Sequence, residues 1–258
     1  MTDRNLNTHS DGHVCSKCGG KGYISKTETN GQGYIYEYLR VCDCQREQQK
    51  PMLKASANIP YEYRNCSIND FNIAVYTNKE MAKTVKNAAA GFISNYMAFK
   101  AKGKGLYLYS RAKGSGKTRM ACSIGNAIIQ TQAEKVSFVK TLELLSMIRD
   151  TYRKDSETSE RDILTRVKTT PVLILDDIGA ENPKDWVCGV FLEILDYRIS
   201  NRLITFFTSN LRQDALKLDE RIIDRICKMS IELHFPEESI RRREAGNECA
   251  DLMGLLGI

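Results

Sequence analysis

The sequence predicts an α/β fold, a parallel sheet flanked by helices, preceded by a small N-terminal metal-binding unit. Three observations carry this. Short apolar segments alternate with helical patterns from about residue 78 to residue 235. A glycine-rich loop, Gly114-Ser115-Gly116-Lys117-Thr118, joins one of those strands to one of those helices. Four cysteines stand in two close pairs before residue 45.

The length, 258 residues, suits one large domain or a medium domain with a small one. Hydrophobic content is 42%, enough for a real core. No apolar run reaches a bilayer span and no signal peptide opens the chain, so the expectation is a soluble, cytoplasmic protein without a membrane partner. Net charge of +6 permits nucleic-acid binding without establishing it.

In order along the chain, residues 1–12 read as a disordered tail. His9 and His13 stand near the first cysteines, and such lone histidines are more often incidental than ligands. Residues 13–46 hold Cys15-x-x-Cys18, glycines at 19, 20 and 22, two strands around a turn at Asn30-Gly31, and Cys42-x-Cys44. Four thiolates close a tetrahedral structural zinc site, and so small a hairpin needs such a staple. Residues 47–70 read as a linker broken by Pro51 and Pro60, with aromatics that pack on the next domain, 71–258. Of the remaining cysteines, Cys66, Cys122, Cys188, Cys227 and Cys249 are scattered. Cys122, Cys188 and Cys227 lie in helical apolar patterns and are expected to be buried and unreactive.

Residues 78–102 read as one helix, 105–110 as a strand, and the stretch after the glycine loop as a helix. Strand 135–140 leads to Thr141 as a helix N-cap, then helices 141–153 and 157–168. Val172-Leu173-Ile174-Leu175 runs into Asp176-Asp177 as a central parallel strand meeting a ligand at its carboxyl end. Helix 184–201, strand 203–210 ending in Thr208-Ser209-Asn210, a helix within 214–228, strand 230–235 and a basic helix complete the pattern.

The loop predicts the chemistry. Gly114 and Gly116 let backbone N–H groups turn toward a phosphate, and the following helix N-terminus adds more. Lys117 reaches the β- and γ-phosphates, and the Thr118 hydroxyl holds Mg²⁺. Asp176 orients that metal; Asp177 orients or activates the attacking water. Arg111 stands where this motif has its first glycine, so the loop must begin its turn without one.

GSGKT, LILDD, TSN, RIIDR and SIRRR, in that order, resemble the AAA+ ATPases. The adjacent acids narrow this to the clade of bacterial helicase loaders related to DnaC and DnaI and of the transposon ATPase IstB. The cysteine unit ahead of the ATPase looks most like DnaI-type primosomal loaders. The resemblance implies nucleotide contacts from Gly114, Ser115, Gly116, Lys117, Thr118 and Arg119. It implies Asp176 and Asp177 as Walker B, Asn210 as sensor 1, and Arg225 as an arginine finger acting on a neighbouring subunit's nucleotide. Arg241 matches sensor 2, with Arg242 and Arg243 in reach of that role by a register shift. The expected function is an ATPase, with ATP, Mg²⁺ and Zn²⁺, that loads the replicative helicase hexamer, assembles on that ring and binds single-stranded DNA. The DNA surface falls at about 141–168, with Tyr152, Arg153 and Lys154 as an aromatic beside two cations. The rival is an IstB-like ATPase assisting a DNA transposase; the cysteine unit favours the loader.

Overall fold

Among the described residues the first strands form an antiparallel hairpin, β1 (Tyr23–Thr29) and β2 (Ile35–Val41), with Tyr23 opposite Val41 and Thr29 opposite Ile35. Asn30 makes its turn: the side-chain oxygen accepts the N–H of Gln32 at 3.0 Å and of Tyr34 at 2.9 Å. This is a computed structural model, and it describes residues 14–151, 159–180 and 185–243, with 245 and 253 besides.

Helix α1 (Asp43–Ser56) follows β2 directly. Pro51 stands inside it instead of breaking it, because a proline removes only one helical hydrogen bond when the flanking turns hold. The chain beyond it is built into the body of the protein. Ala57, Ile59 and Ile68 are buried in its core, and the Ala57 carbonyl accepts the Phe138 N–H at 2.7 Å.

The predicted helix 78–102 is two helices, α2 (Lys79–Ser94) and α3 (Tyr96–Lys102). Asn95 divides them, since its side-chain amide donates back to the Gly91 carbonyl at 2.9 Å. Then come β3 (Gly105–Tyr109), α4 (Lys117–Gln132), β4 (Val136–Lys140) and α5 (Thr141–Asp150). Lys140 is the N-cap of α5, not Thr141, which lies inside the first turn with its buried hydroxyl unpaired among the described residues. The elements α6 (Glu160–Thr169), β5 (Val172–Asp176), α7 (Asp185–Ser200), β6 (Ile204–Ser209), α8 (Glu220–Met229) and β7 (Ser230–His234) follow. Only the last part of 214–228 is α-helical, because Asp219 caps α8 through the Arg221 N–H.

The five later strands form one parallel sheet in the order β4-β5-β6-β3-β7. Their apolar side chains alternate between two cores. Leu106, Leu108, Val172, Ile174, Ile204 and Phe206 pack with α2, α3 and α4. Tyr107, Tyr109, Leu173, Leu175 and Phe207 face α5 to α8 on the other side. Of the cysteines expected to be buried, Cys122 is; Cys188 is half-buried, and Cys227, on α8, is exposed. Among the described residues, no helix is long and apolar enough to cross a membrane.

Arg198, in the last turn of α7, is fully buried. Its guanidinium donates to the carbonyls of Val167, Lys168, Thr170 and Ile204 and to the Thr205 hydroxyl, at 2.6 to 3.2 Å. It thus ties the C-terminus of α6 to the start of β6. Burial pulls its pKa down to about 9, which still leaves it charged at neutral pH. Replacing it strands several buried carbonyls and leaves a cavity. Arg198→Ala should lower unfolding stability by about 3 kcal/mol or more, read from urea denaturation; a loss under about 1 kcal/mol would show that these carbonyls find other partners.

Candidate nucleotide site

The carboxyl ends of β3, β6 and β5 lie side by side, and the site is assembled there. After β3 the chain turns through the glycine loop into α4. Gly114 and Gly116 have φ of 77° and 92°. At Gly116 a Cβ would stand 2.7 Å from the Tyr76 hydroxyl, so both conformation and space require glycine.

Arg111 needs no glycine. It is not among the residues with positive φ. Its N–H and that of Ala112 donate to the Glu237 carboxylate at 3.2 and 3.1 Å, which pins the start of the loop. Further along, the Gly114 carbonyl accepts the N–H groups of Ile240 at 2.9 Å and Arg241 at 3.3 Å. The segment after β7 is therefore a strap across the loop.

Lys117 opens α4 and is buried. Its ammonium donates to the carbonyls of Ser110 and Ala112, to the Ser115 hydroxyl and to Asn210 Oδ1, at 3.1 to 3.3 Å. Burial pulls its pKa down to about 8, against the opposing pull of the Asp177, Glu237 and Asp176 carboxylates. Asn210 carries the connection onward, its Nδ2 donating to Asp177 Oδ1 at 3.0 Å. Asp177 itself has φ of 58°, a left-handed conformation that is uncommon outside glycine and that aspartate tolerates better than most residues. Asp176 Oδ1 accepts the hydroxyls of Thr118 at 2.8 Å and Thr208 at 2.6 Å. Burial raises the Asp176 pKa, and these two hydrogen bonds oppose the rise. A hydroxyl beside a carboxylate at the end of a phosphate loop is the oxygen donor set that suits Mg²⁺.

A cavity of about 640 Å³ opens over the loop, lined by residues 114–119, Arg241 and an aromatic wall. Phe71 and Tyr76 stack at 5.2 Å, and the Tyr76 hydroxyl donates to the Ser115 carbonyl at 3.0 Å. The volume suits a nucleotide. Gly114, Ser115, Gly116, Lys117, Thr118, Arg119 and Arg241 thus line one cavity, and hydrogen bonds join Asp176, Asp177 and Asn210 to its loop. Arg243 is engaged elsewhere, with Glu238 and the Val75 carbonyl, and Arg242 is exposed. Arg225 stands apart on α8, where it holds both oxygens of Asp196 on α7 at 2.5 and 3.0 Å. Tyr152, Arg153 and Lys154 lie outside the described residues, as do His9 and His13.

The four early cysteines form a second site, all four sulfurs within 4.8 Å of one another and buried. Cys15 lies 3.8 Å from Cys42, and Cys18 lies 3.5 Å from Cys44. Four thiolates around a tetrahedral ion at ~2.3 Å would stand ~3.8 Å apart, so this donor set fits zinc. The Cys18 and Lys17 N–H groups hold the Cys15 thiol down to about 6, while burial and the neighbouring sulfurs push Cys44 up to about 12. Cys42 and Cys44 sit at the N-terminus of α1.

Sequence reasoning missed Thr208, Tyr76, Phe71 and Glu237. Thr208 stood in the TSN run and Phe71 among the aromatics ahead of α2. Glu237 had no local signal.

ATP affinity should fall as pH rises above about 8, by up to about tenfold per unit, because the free lysine loses the proton that the phosphate-bound form must carry. Lys117→Ala should abolish nucleotide binding, read by titration of a fluorescent ATP analogue, with the circular dichroism spectrum unchanged; retained affinity would remove the loop from the site. The purified protein should hold about one zinc per chain by elemental analysis. Cys42→Ser should release it and speed hydrogen exchange of β1 and β2, leaving exchange of the parallel sheet as it was.

Comparison with known proteins places the chain in a family. Residues 52–247 match the family described as IstB-like ATP binding protein. The replicative helicase loader DnaI of Bacillus subtilis is 34% identical over 203 residues, 76% of this chain and 61% of that protein's length. The replicative helicase loader DnaC of Buchnera aphidicola subsp. Baizongia pistaciae is 30% identical over 189 residues, 72% of this chain and 73% of its own. The crystal structure of the DnaI superposes with a TM-score of 0.57 at 30% identity, over 69% of this chain and 95% of that one. The chain belongs to the IstB-like ATP-binding family, in its branch of DnaI and DnaC helicase loaders.

Proposed function

We propose that the protein is an ATPase that binds Mg-ATP at this site and uses the cycle to load a replicative hexameric DNA helicase onto single-stranded DNA. The observation that carries the ATPase half is the unbroken chain Lys117–Asn210–Asp177 lying beside Thr118–Asp176. It sets a phosphate-binding cation, a polar amide and a carboxylate base in line beside a metal-binding pair.

The loop N–H groups and Lys117 would hold the phosphates, and Thr118 and Asp176 would hold a magnesium ion, which would supply charge neutralisation. Asp177 takes or orients the proton of the attacking water. Asn210 fixes that water beside the terminal phosphate, and Arg241 approaches from the strap. Arg225 completes the site of a neighbouring copy, so turnover waits on assembly with the helicase.

The loader half rests on the relatives named above and on the hairpin. Tyr23, Ile35, Leu39 and Val41 share one face of β1 and β2, the side away from Ile24 and the sulfurs, and all are exposed, Ile35 by 73% and Leu39 by 71%. An apolar face of that kind suits a protein partner. In this reading residues 13–46 form a zinc-stapled docking unit, 47–70 tie it to the ATPase at 71–258, and the protein works in the cytoplasm.

The test is co-purification with the replicative helicase of the source organism in ATP and in ADP. A complex that forms with ATP and weakens on turnover is expected. The double variant Ile35→Ser, Leu39→Ser should lose the complex while still binding nucleotide. Arg225→Ala should keep both but lower helicase-stimulated hydrolysis by about 10³-fold. No complex in either nucleotide state would sink the loader reading.

A further inference from the structure

Thr208 is buried at the end of β6, next to the strand that carries the two acids. Its hydroxyl does two things at once. It donates to Asp176 Oδ1 at 2.6 Å and accepts the Asp177 N–H at 2.9 Å. Its backbone adds a third link, since its carbonyl accepts the Ile178 N–H at 2.9 Å. Three consecutive residues of the acidic corner are therefore held by one threonine.

The two acids need different things from it. Asp176 Oδ1 receives two hydroxyls, from Thr118 and Thr208. A Thr118 oxygen that held a metal would offer a lone pair and keep its proton for Asp176, so the carboxylate oxygen would be fixed by two donors, of which Thr208 is the one that does not touch the metal. Asp177 sits in a left-handed conformation, uncommon outside glycine, with its N–H given to Thr208. The Thr208 oxygen holds it there, which aims the Asp177 side chain at Asn210.

We propose that Thr208 is the positioning residue of the magnesium site: its one hydroxyl sets the metal-binding Asp176 and the left-handed turn of Asp177 together. This rests on the Mg-ATP reading above and adds to it the group that couples the two acids. Partners that orient metal-binding carboxylates are worth about 10–100-fold in metal affinity. Serine retains the hydroxyl; valine keeps the shape and removes it.

The experiment is titration of a fluorescent ATP analogue at a series of magnesium concentrations, with melting temperatures as the control. Thr208→Val should raise the magnesium concentration needed for half-maximal tightening by about 10–100-fold. Its affinity for the nucleotide without metal should stay within about twofold of wild type, because the loop and Lys117 are untouched. Thr208→Ser should return the magnesium midpoint to within about threefold of wild type. A valine variant with the wild-type magnesium midpoint, or a serine variant as impaired as valine, would overturn the proposal. So would a wild-type protein that binds ATP with no magnesium dependence, and ATP binding would then stand without it. A wild-type protein that binds no ATP would take down both readings.

Discussion

Strand β6 lies between the strand that runs into the phosphate loop and the strand that ends in two acids. The site depends on that insertion. Adjacent strands in a sheet stand about 4.8 Å apart, so β3 and β5, with β6 between them, are separated by about twice that. Neither Lys117 nor Asp177 needs to bridge the gap alone, because Asn210 at the end of β6 touches both. Thr208, two residues earlier on the same strand, reaches the other acid. Alternation along a strand turns successive side chains to opposite faces, so residues 208 and 210 share a side and Ser209 points away. Ser209 instead donates to the Ile178 carbonyl at 2.6 Å, bracing the turn after the acids.

The loop is held from outside as well as from within. Glu237 takes the two amides at its start, and Gly114 is tied to Ile240 and Arg241. Burial alone would raise the Glu237 pKa, but hydrogen bonds from His234 and from the Arg111 and Ala112 amides bring it below the usual value. It is thus an anion at neutral pH, facing backbone donors. Its neighbour Glu238 makes the same kind of contact with the Thr77 and Asn78 amides at the start of α2, both at 2.8 Å. Two adjacent carboxylates therefore bind the strap to the loop on one side and to the aromatic wall's helix on the other. A movement of the strap would reach the phosphates and the wall together.

What the sequence disclosed follows from how each feature is encoded. The strands were legible because a parallel sheet buried on both faces needs continuous apolar runs, and 172–175 is such a run. The loop, the acids and the cysteine pairs were legible because their chemistry fixes residue types at short spacing. Local misreadings came from residues that serve two structures equally well. Asn95 closes one helix and opens the next, Thr141 starts a helix without capping it, and Pro51 is carried inside a helix. Glu237 and Arg198 were invisible for a different reason. Their partners are backbone groups distant in sequence, and a backbone amide or carbonyl leaves no mark in the sequence.

Arg225 and Lys117 are both engaged by other groups of the described structure, and the strength of each engagement sets how readily a ligand displaces it. Arg225 is held by Asp196 at a partly exposed site, the side chains 28% and 54% accessible. Surface pairs of this kind are worth roughly 0.2–1 kcal/mol, so in the proposed assembly a phosphate on a neighbouring copy would outcompete Asp196. Lys117 is different. It is buried, with three neutral acceptors close by and only Asn210 between it and a carboxylate. Neutral oxygens compensate a buried charge poorly, which is why its pKa falls. A phosphate arriving there relieves an existing penalty instead of breaking a strong pair, and it frees Asn210 Oδ1 at the same moment. In the proposed cycle, binding of the phosphate and release of Asn210 would then be one event, and engagement of Arg225 by another copy a second.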